Sequence, residues 1–307
     1  MAAAPRAQPT DFFNTDEWRA LCARSNWRGL WLVAHCWGVI GLCMLLAVRW
    51  PLLIPLAVLV IGTRQLGLFI LMHDAAHALL HSNRRVNDWV GYWLCSAGLH
   101  LYRPYHLQHH RFVQQTEDPD LVLSAPFPVS RQSFWRKVGR DLTGQTWLKQ
   151  HVAPVVDGVR RRPIGTSAWS ALAQGLVEKR RFLLANAIGF GLFALAGQAW
   201  VWLVLWLLPA MTWLQLVYRV RNIAEHALVA QNQPDPLRQA RTTHANWIER
   251  VLVAPYWVNY HCGHHLITQL PCWQLPQAHR LLQRCSTAQR MELQPGYLTV
   301  LRLATAA

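Results

Sequence analysis

Four apolar runs alternate with polar sequence along the chain. The first covers residues 30–48 and the second 52–71, with a short turn at 49–51 between them, and runs at 182–195 and 200–217 form a second closely spaced pair. A helix needs about 20 predominantly apolar residues to cross a bilayer. The pattern therefore predicts an all-α integral membrane protein with four transmembrane helices in two hairpins.

Polar segments surround and separate the two hairpins. Residues 1 to about 29 precede the first run, an insert at 72–181 separates the hairpins, and residues 218–307 follow the last run. We expect one domain over residues 1–307, in which the insert and the C-terminal segment build a helical cap on the membrane part at 30–217. No signal peptide is predicted, because acidic residues precede the first apolar run.

The distribution of charge predicts the orientation in the membrane. The chain carries a formal charge of +15, is 52% hydrophobic and contains 17 tryptophans, which is typical of a membrane protein with aromatic residues at its interfaces. Half of the 30 Lys and Arg residues lie between the second and third runs, whereas the outer turns contain only Arg49. The positive-inside rule places both termini and the cap in the cytoplasm. Because the basic residues separate apolar runs, we expect no nucleic acid partner.

Arg64 interrupts the second apolar run. A charged residue in the middle of a membrane helix is costly, and it is usually paired or functional. Alternatively its long side chain reaches towards the lipid headgroups. The sequence leaves both interpretations open.

Histidines are concentrated next to the apolar runs, at spacings of three and four residues. Such spacings place side chains on one face of a helix. Pro104, just before the second of three clusters, suits the first position of a helix. The three clusters are His73 and His77; His106, His109 and His110; and His261, His264 and His265. In a further pair, Asn222 precedes His226 by four positions.

These residues predict one shared site for two metal ions. Neutral imidazole suits iron, zinc or copper, and one zinc ion takes only four ligands, so nine imidazoles imply two ions. The more specific hypothesis is that the site binds two iron ions that react with dioxygen. His81 continues the first pair by four residues and is a possible ligand at the edge of the site, although a hydrogen-bonding role is favoured. Carboxylates that orient metal-bound imidazoles are available nearby at Asp74, Asp118, Asp120 and Glu225.

The segments at 73–77, 106–110 and 261–265 read HDAAH, HLQHH and HCGHH. They resemble the three histidine boxes of the integral-membrane fatty acid desaturase and hydroxylase superfamily, and NIAEH at 222–226 resembles its additional Asn and His. The resemblance implies a mushroom-shaped helical fold, two irons in a cytosolic cap, dioxygen as co-substrate and an apolar tunnel for an acyl chain. The first box has three intervening residues where acyl-CoA desaturases often have four. A short chain without a fused cytochrome b5 motif resembles the bacterial branch, which implies the bacterial inner membrane.

The predicted function is that of a diiron fatty acyl desaturase. Its substrate would be a membrane lipid or an acyl thioester, and its electrons would come from an external carrier of the ferredoxin, rubredoxin or cytochrome b5 type. A hydroxylase or ketolase of a carotenoid, sterol or alkane is the alternative within the superfamily. A metal transporter or metal sensor is an alternative of another class, although transporters place their ligands inside the membrane-spanning segments.

Overall fold

The computed structural model describes residues 4–284 and 289–307 and is mostly helical, with 69% helix and 2% strand. Turns of 3₁₀ or π type join or extend several of the α-helices. The α-helices, in chain order, are α1 (Thr15–Leu21), α2 (Arg28–Arg49), α3 (Ile54–Ala76), α4 (Arg84–Val90), α5 (Leu99–Phe112), α6 (Leu121–Ser124), α7 (Arg131–Leu142), α8 (Gln145–His151), α9 (Ala153–Arg160), α10 (Ala168–Glu178), α11 (Arg180–Leu195), α12 (Ala199–Trp202), α13 (Leu208–Met211), α14 (Trp213–His226), α15 (Trp247–Leu252), α16 (His261–Leu266), α17 (Leu275–Leu282) and α18 (Tyr297–Ala304).

Three helical segments are long and apolar enough to cross a membrane: Arg28–Arg49, Pro51–Ala76 and Ala199–His226. They confirm the first, second and fourth predicted spans. The third predicted span falls on α11, whose 16 residues extend about 24 Å at 1.5 Å per residue. That length is shorter than the hydrocarbon core of a bilayer, about 30 Å. The third predicted span and the arrangement in hairpins therefore remain predictions.

The helices extend beyond the apolar runs that predict them. Helix α3 continues from the second run to Ala76 without a break and carries His73 near its end, as expected from the absence of a breaker. The segment Ala199–His226 likewise includes the polar sequence after residue 217. The structural reason is that helix propagation needs only intact backbone hydrogen bonds, which polar residues also allow.

The chain forms two compact units. The first, called here the histidine unit, comprises Met1–Trp37, Leu66–Phe134 and Val217–Ala307. Its core contains fully buried aliphatic side chains from distant parts of the sequence, among them Leu21, Leu71, Ile223 and Ile267. The N-terminal segment is tied into this unit, since Ala4 N–H donates to Arg111 O at 2.9 Å and the Gln274 side chain donates to Ala20 O at 3.1 Å.

The second unit comprises Gly38–Gln65 and Trp135–Leu216. Polar side chains connect its helices: Gln65 Nε2 donates to Trp206 O at 2.7 Å, and Trp213 Nε1 donates to Thr63 Oγ1 at 3.1 Å. Such contacts are a common way of joining helices in a membrane. Arg64 has only 9% of its surface exposed. It is therefore largely buried within this unit, and both interpretations of its charge stay predictions.

A small parallel sheet departs from the all-α prediction. Strands β1 (Arg241–Thr243) and β2 (Glu292–Gln294) pair in register, with Thr242 opposite Leu293. Both strands belong to the histidine unit. No alternating apolar pattern marks either of them, because three residues are too few to show a period of two.

Candidate metal centre

The first histidine pair lies where α3 ends. Helix α3 stops at Ala76, and Ala78 adopts a left-handed conformation with φ +60°. His77 N–H still donates to His73 O at 3.3 Å, so both imidazoles follow the helical turn. The Arg103 guanidinium donates to Ala75 O and Ala76 O at 2.9 and 3.1 Å. It thereby satisfies backbone carbonyls that the end of a helix leaves without partners.

The second cluster lies on α5, where His106, His109 and His110 are all buried. Helix α5 starts at Leu99, and Pro104 lies inside it. The prediction that Pro104 marks the first helical position is therefore wrong. A proline removes only one backbone hydrogen bond from a helix, and the buried Leu99 side chain anchors the turn that precedes it.

The remaining histidines come from the C-terminal part of the chain. His226 ends α14, and His261, His264 and His265 occupy α16. Arg241, which is buried on β1, donates to Ala227 O at 2.8 Å and so closes the end of α14. A second link runs through Asn259, whose side chain donates to Thr243 O at 3.1 Å.

Nine imidazoles converge into two adjacent groups. Within each group the candidate ligand atoms all lie within 4.8 Å of one another. The rings of His110 and His265, one from each group, have centroids 4.4 Å apart. The five-histidine group consists of His73, His77, His106, His110 and His264, and the four-histidine group of His109, His226, His261 and His265.

Short contacts between Nε2 atoms link four of the five members of one group and all four members of the other. His106 Nε2 lies 3.0 Å from His77 Nε2 and 2.9 Å from His110 Nε2. One imidazole nitrogen carries either one hydrogen or one lone pair, so His106 Nε2 cannot form hydrogen bonds to both neighbours. In the other group, His261 Nε2 has two such neighbours as well, at 2.9 and 3.0 Å. A cation accepting all of these lone pairs accounts for the arrangement.

Carboxylates orient several of the rings. Asp118 Oδ1 lies 2.8 Å from Nδ1 of His109, and Asp74 Oδ1 lies 3.3 Å from Nδ1 of His73. Each carboxylate favours a hydrogen on Nδ1 and leaves Nε2 as the lone-pair donor. Nε2 of His73 is buried and has no hydrogen-bond partner, as expected of an atom directed at a metal.

Two further predicted carboxylates lie beside the four-histidine group. Asp120 Oδ2 is 3.7 Å from Nδ1 of His109, and Glu225 Oε2 is 3.5 Å from Nε2 of His261. All four carboxylates that the sequence indicated therefore lie next to a candidate ligand. Three of them, Asp118, Asp120 and Glu225, surround the four-histidine group.

Burial keeps the imidazoles in the form that binds metals. The pKa of His77 is lowered to about 4, chiefly by burial and then by the charge of Arg103. Within the two groups, burial also lowers the pKa of the other histidines that lie beyond the candidate spans and show a shift, namely His106, His110, His261, His264 and His265. Neutral imidazoles at pH 7 offer their lone pairs without first losing a proton.

Two predicted site residues stand apart from these groups. His81 belongs to neither group; its Nδ1 accepts a hydrogen bond from Asn83 N–H at 2.9 Å. The left-handed turn at Ala78 ends the helical spacing that would have carried His81 towards the site, so its assignment as a possible edge ligand is not supported. Asn222 is buried on α14, one turn before His226, and its role as a ligand stays a prediction.

Sequence reasoning missed the side chains that hold these elements together. Gln114 has a left-handed backbone, with φ +59°, and is 2% exposed. Its side chain donates to His226 O at 3.0 Å, while its backbone N–H donates to Asp118 Oδ2 at 2.9 Å. It thus connects the loop that orients His109 to the end of α14. Nothing in the spacing of residues signals such a contact, because its two partners are 112 and 4 positions away.

Removal of the Asp118 carboxylate tests its orienting role. We expect Asp118→Ala to lower the affinity for metal, or the activity of the loaded protein, by about 10–100-fold. Competition with a chelator measures the affinity directly. Asp157→Ala, which removes an exposed carboxylate, is the control and should leave the affinity unchanged; equal losses in both variants would refute an orienting role.

Together the fold and the site define a membrane protein with a buried histidine centre that could hold metal ions. The family model of the fatty acid desaturases matches residues 49–296, which cover most of the chain and all nine histidines. The chain belongs to the fatty acid desaturase family, and its relatives indicate an oxidoreductase of the membrane-bound type.

Several relatives with assigned names are similar over most of this chain. It is 29% identical over 295 residues to the dihydrorhizobitoxine desaturase of Bradyrhizobium elkanii, covering 90% of this chain and 78% of the relative. It is 25% identical over 267 residues to the sn-1 oleoyl-lipid 12-desaturase of a Picosynechococcus, covering 80% and 74%. The chloroplastic omega-6 fatty acid desaturase of Glycine max is 24% identical over 293 residues, covering 90% of this chain and 65% of the relative. The chain thus spans just under two thirds of that plant protein.

Proposed function

We propose that the chain is a membrane-bound diiron fatty acyl desaturase that inserts a cis double bond into an acyl chain with dioxygen as co-substrate. The observation that carries the proposal is the convergence of nine imidazoles into adjacent groups of five and four. Family membership supports the reaction class.

The spacing of the nitrogens favours iron over zinc. Metal–nitrogen bonds of about 2.0–2.1 Å place neighbouring nitrogens about 3.0 Å apart at right angles and about 3.4 Å apart at a tetrahedral angle. In the five-histidine group the three Nε2–Nε2 contacts measure 2.9–3.0 Å. Five ligands at near right angles exceed the tetrahedral preference of zinc. An ion of higher coordination number fits, and iron is the one among them that commonly activates dioxygen in such sites.

Bound iron would supply the redox chemistry that lets dioxygen accept hydrogen from an unactivated C–H bond. The overall reaction balances when the acyl chain gives up two hydrogen atoms from neighbouring carbons and a carrier gives two electrons, with two protons from water. One dioxygen then becomes two waters. The protein supplies ligation, a dry cavity and orientation of the substrate.

A small cavity lies against both histidine groups. Its walls include His73 and His264 from the five-histidine group and His261 from the four-histidine group. The other lining residues are Ile70, Asp74, Tyr256, Val258, Cys272 and Leu275. The cavity has a volume of about 10 Å³, room for one water molecule. An acyl chain would therefore have to displace side chains here, and the position in which it is held would determine which two carbons react.

The names of the relatives support a class of substrate but not a particular acyl chain. Two relatives are named for fatty acids or an oleoyl lipid, and another for dihydrorhizobitoxine. We propose a fatty acyl chain, carried by a membrane lipid or a thioester. We propose that the protein lies in the bacterial inner membrane. The site and both termini would face the cytoplasm, because the basic residues are concentrated in the segments outside the short outer turns.

The electrons would come from an external carrier of the ferredoxin, rubredoxin or cytochrome b5 type. Exposed arginines on the histidine unit, such as Arg84, Arg85 and Arg111, would attract an acidic carrier through long-range electrostatics. The same residues would also meet anionic lipid headgroups. Salt would weaken either interaction.

Expression in a host that lacks polyunsaturated lipids tests the function. We expect new unsaturated acyl chains, detected by gas chromatography–mass spectrometry with double bonds located by derivatisation. Purified protein should contain about two irons per chain. New alcohols or ketones on a carotenoid, sterol or alkane would instead establish a hydroxylase or ketolase, and metal flux into vesicles without new lipids would indicate a transporter.

A further inference from the structure

We infer that the second unit binds one anionic phospholipid in an apolar groove. An acyl chain of the lipid lies against aromatic side chains of the groove, and its phosphate group lies against basic residues at the start of α11. The site is separate from the candidate metal centre. The inference goes beyond the proposed function and does not depend on it.

The groove is lined by Trp147 of α8, by side chains on one face of α11 and by residues from 202 to 207. Its volume is about 270 Å³, which is larger than an engineered core cavity of about 150 Å³ that binds benzene. Every described lining residue belongs to the second unit. The groove therefore shares no residue with the two histidine groups and has room for part of an acyl chain.

One face of α11 forms the floor of the groove. Phe182, Asn186 and Phe190 line it and are spaced four residues apart, so they lie on the same side of the helix. The eight residues from Phe182 to Phe190 extend about 12 Å along the helix axis. The Asn186 side chain, between the two rings, donates from Nδ2 to Phe182 O at 2.9 Å and so bonds to its own helix. A long floor made mainly of aromatic rings suits a methylene chain.

The opposite wall is held in place by packing. It includes a π turn, Leu203–Leu207, whose first and last residues both line the groove. Such turns inside helices are rare and occur frequently at functional sites. Trp202 lies beside the turn, against the backbone of Gly189, where a Cβ atom would overlap its ring. The ring also stacks on Trp206, with the centroids 5.2 Å apart. A chain that binds against this wall therefore needs little reordering of the protein.

The position of the groove exposes it to lipid. Trp202, Leu203 and Leu207 belong to the candidate membrane span Ala199–His226. Leu203 is 48% exposed and Phe190 is 40% exposed. In a membrane, an exposed side chain on a spanning helix faces hydrocarbon and not water. The acyl chains of the bilayer are thus the apolar groups available to fill the groove.

Basic residues lie at one end of the groove and distinguish the headgroup. Lys179 and Arg181 directly precede Phe182 at the start of α11. The His151 ring stacks on Phe182, with centroids 5.0 Å apart, and its centroid lies 4.8 Å from that of Trp147. Burial and then the charge of Lys179 lower the pKa of His151 to about 4, so the ammonium group is near these rings. Basic side chains next to a membrane segment attract anionic headgroups.

The order of these features along α11 matches the structure of a phospholipid. Phosphate oxygens accept charge-assisted hydrogen bonds from lysine and arginine, and the basic residues stand where the apolar floor begins. A free phosphate would leave the apolar floor without a partner. An uncharged lipid would leave the basic end without one. An anionic phospholipid satisfies both parts at once.

Thermal unfolding of the purified protein in detergent tests the site. We expect dioleoyl phosphatidylglycerol to raise the midpoint of unfolding, because a ligand that binds the folded state stabilises it. Native mass spectrometry should show one retained lipid per chain. Dioleoyl phosphatidylcholine has the same acyl chains but no net charge, and it should bind about fivefold more weakly. Inorganic phosphate at the same concentration should have no effect. Equal stabilisation by the two lipids, or by phosphate alone, would overturn the inference.

Charge reversal at the basic end separates this site from general attraction to the basic protein. Lys179→Glu should weaken the binding of phosphatidylglycerol by about tenfold or more, since it removes one attraction and adds a repulsion. Arg131→Glu is the matched control: it changes the net charge equally, at an exposed position of the histidine unit. Lys179 is partly exposed, so its replacement should leave the fold intact.

A larger side chain in the groove tests the position of the acyl chain. Leu203→Trp should fill part of the groove and weaken lipid binding by about tenfold. Leu208→Trp is the control, because Leu208 is 42% exposed, close to the 48% of Leu203, but does not line the groove. Wild-type affinity in both Lys179→Glu and Leu203→Trp would refute the site. Equal losses in the site variants and their controls would also refute it, because the lipid would then bind without using the groove.

Discussion

Replacement of His264 by alanine is expected to abolish product formation and to reduce bound iron from about two to about one ion per chain. His264 is 3% exposed, and its Nε2 lies 3.0 Å from Nε2 of His110. Removing it takes one of five nitrogens from the first group. In the proposed diiron reaction both metals are needed, whereas an ion in the second group would keep its own four imidazoles. Activity should therefore be lost completely, whereas only part of the bound iron should be lost.

The complementary variant is His261→Ala, which removes a nitrogen from the four-histidine group. We expect the same loss of activity, with the surviving iron in the other group and a different iron spectrum. His279→Ala is the control, because His279 is similarly buried, at 7% exposed, but belongs to neither group. Full iron content with wild-type activity in His264→Ala would show that these histidines do not bind a catalytic metal.

Arg221→Met is expected to destabilise the folded protein by about 3–5 kcal/mol, the usual cost of leaving one member of a buried ion pair alone. Arg221 Nε lies 2.7 Å from Glu225 Oε1, and the Glu225 side chain is 2% exposed. The pair is one helical turn apart on α14, next to His226 and His261. Without the guanidinium, the Glu225 carboxylate would be buried with no compensating charge.

The measurement is the midpoint of thermal unfolding in one detergent at fixed protein concentration. Arg221→Met with Glu225→Gln should recover much of the lost stability, because the uncompensated charge is gone. Arg219→Met is the control on the same helix. An equal loss in the single and double variants would mean that packing around Arg221, and not its charge, stabilises this region.

The sequence predicted those features that repeat locally. The apolar runs identified three spans that the structure confirms, because length and apolarity alone decide whether a helix can cross a bilayer. The spacings of three and four residues identified all nine histidines, since the period of the helix places such residues on one face. The carboxylates were identified by their nearness in sequence to those histidines.

The errors arose where a distant contact overrides a local rule. Pro104 was predicted to begin a helix but lies inside one, where tertiary packing tolerates it. For His81 the hydrogen-bonding role that the sequence favoured agrees with the structure, since its Nδ1 accepts from Asn83 N–H. Gln114, Arg103 and Arg241 carry no recognisable motif, and each acts through a backbone carbonyl far away in the sequence.

The amino-acid sequence by itself determined the helical membrane character and singled out the nine histidines, because these follow from hydropathy and from helical periodicity. The reaction family followed from the resemblance of the histidine segments to those of a known family. Only the tertiary structure decided how the nitrogens divide into five and four and which carboxylate orients which ring. It also decided that the Tyr256 ring packs against Gly67. The grouping of the nitrogens and the Tyr256–Gly67 contact depend on segments more than a hundred residues apart, which are brought together by packing and not by any pattern within either segment.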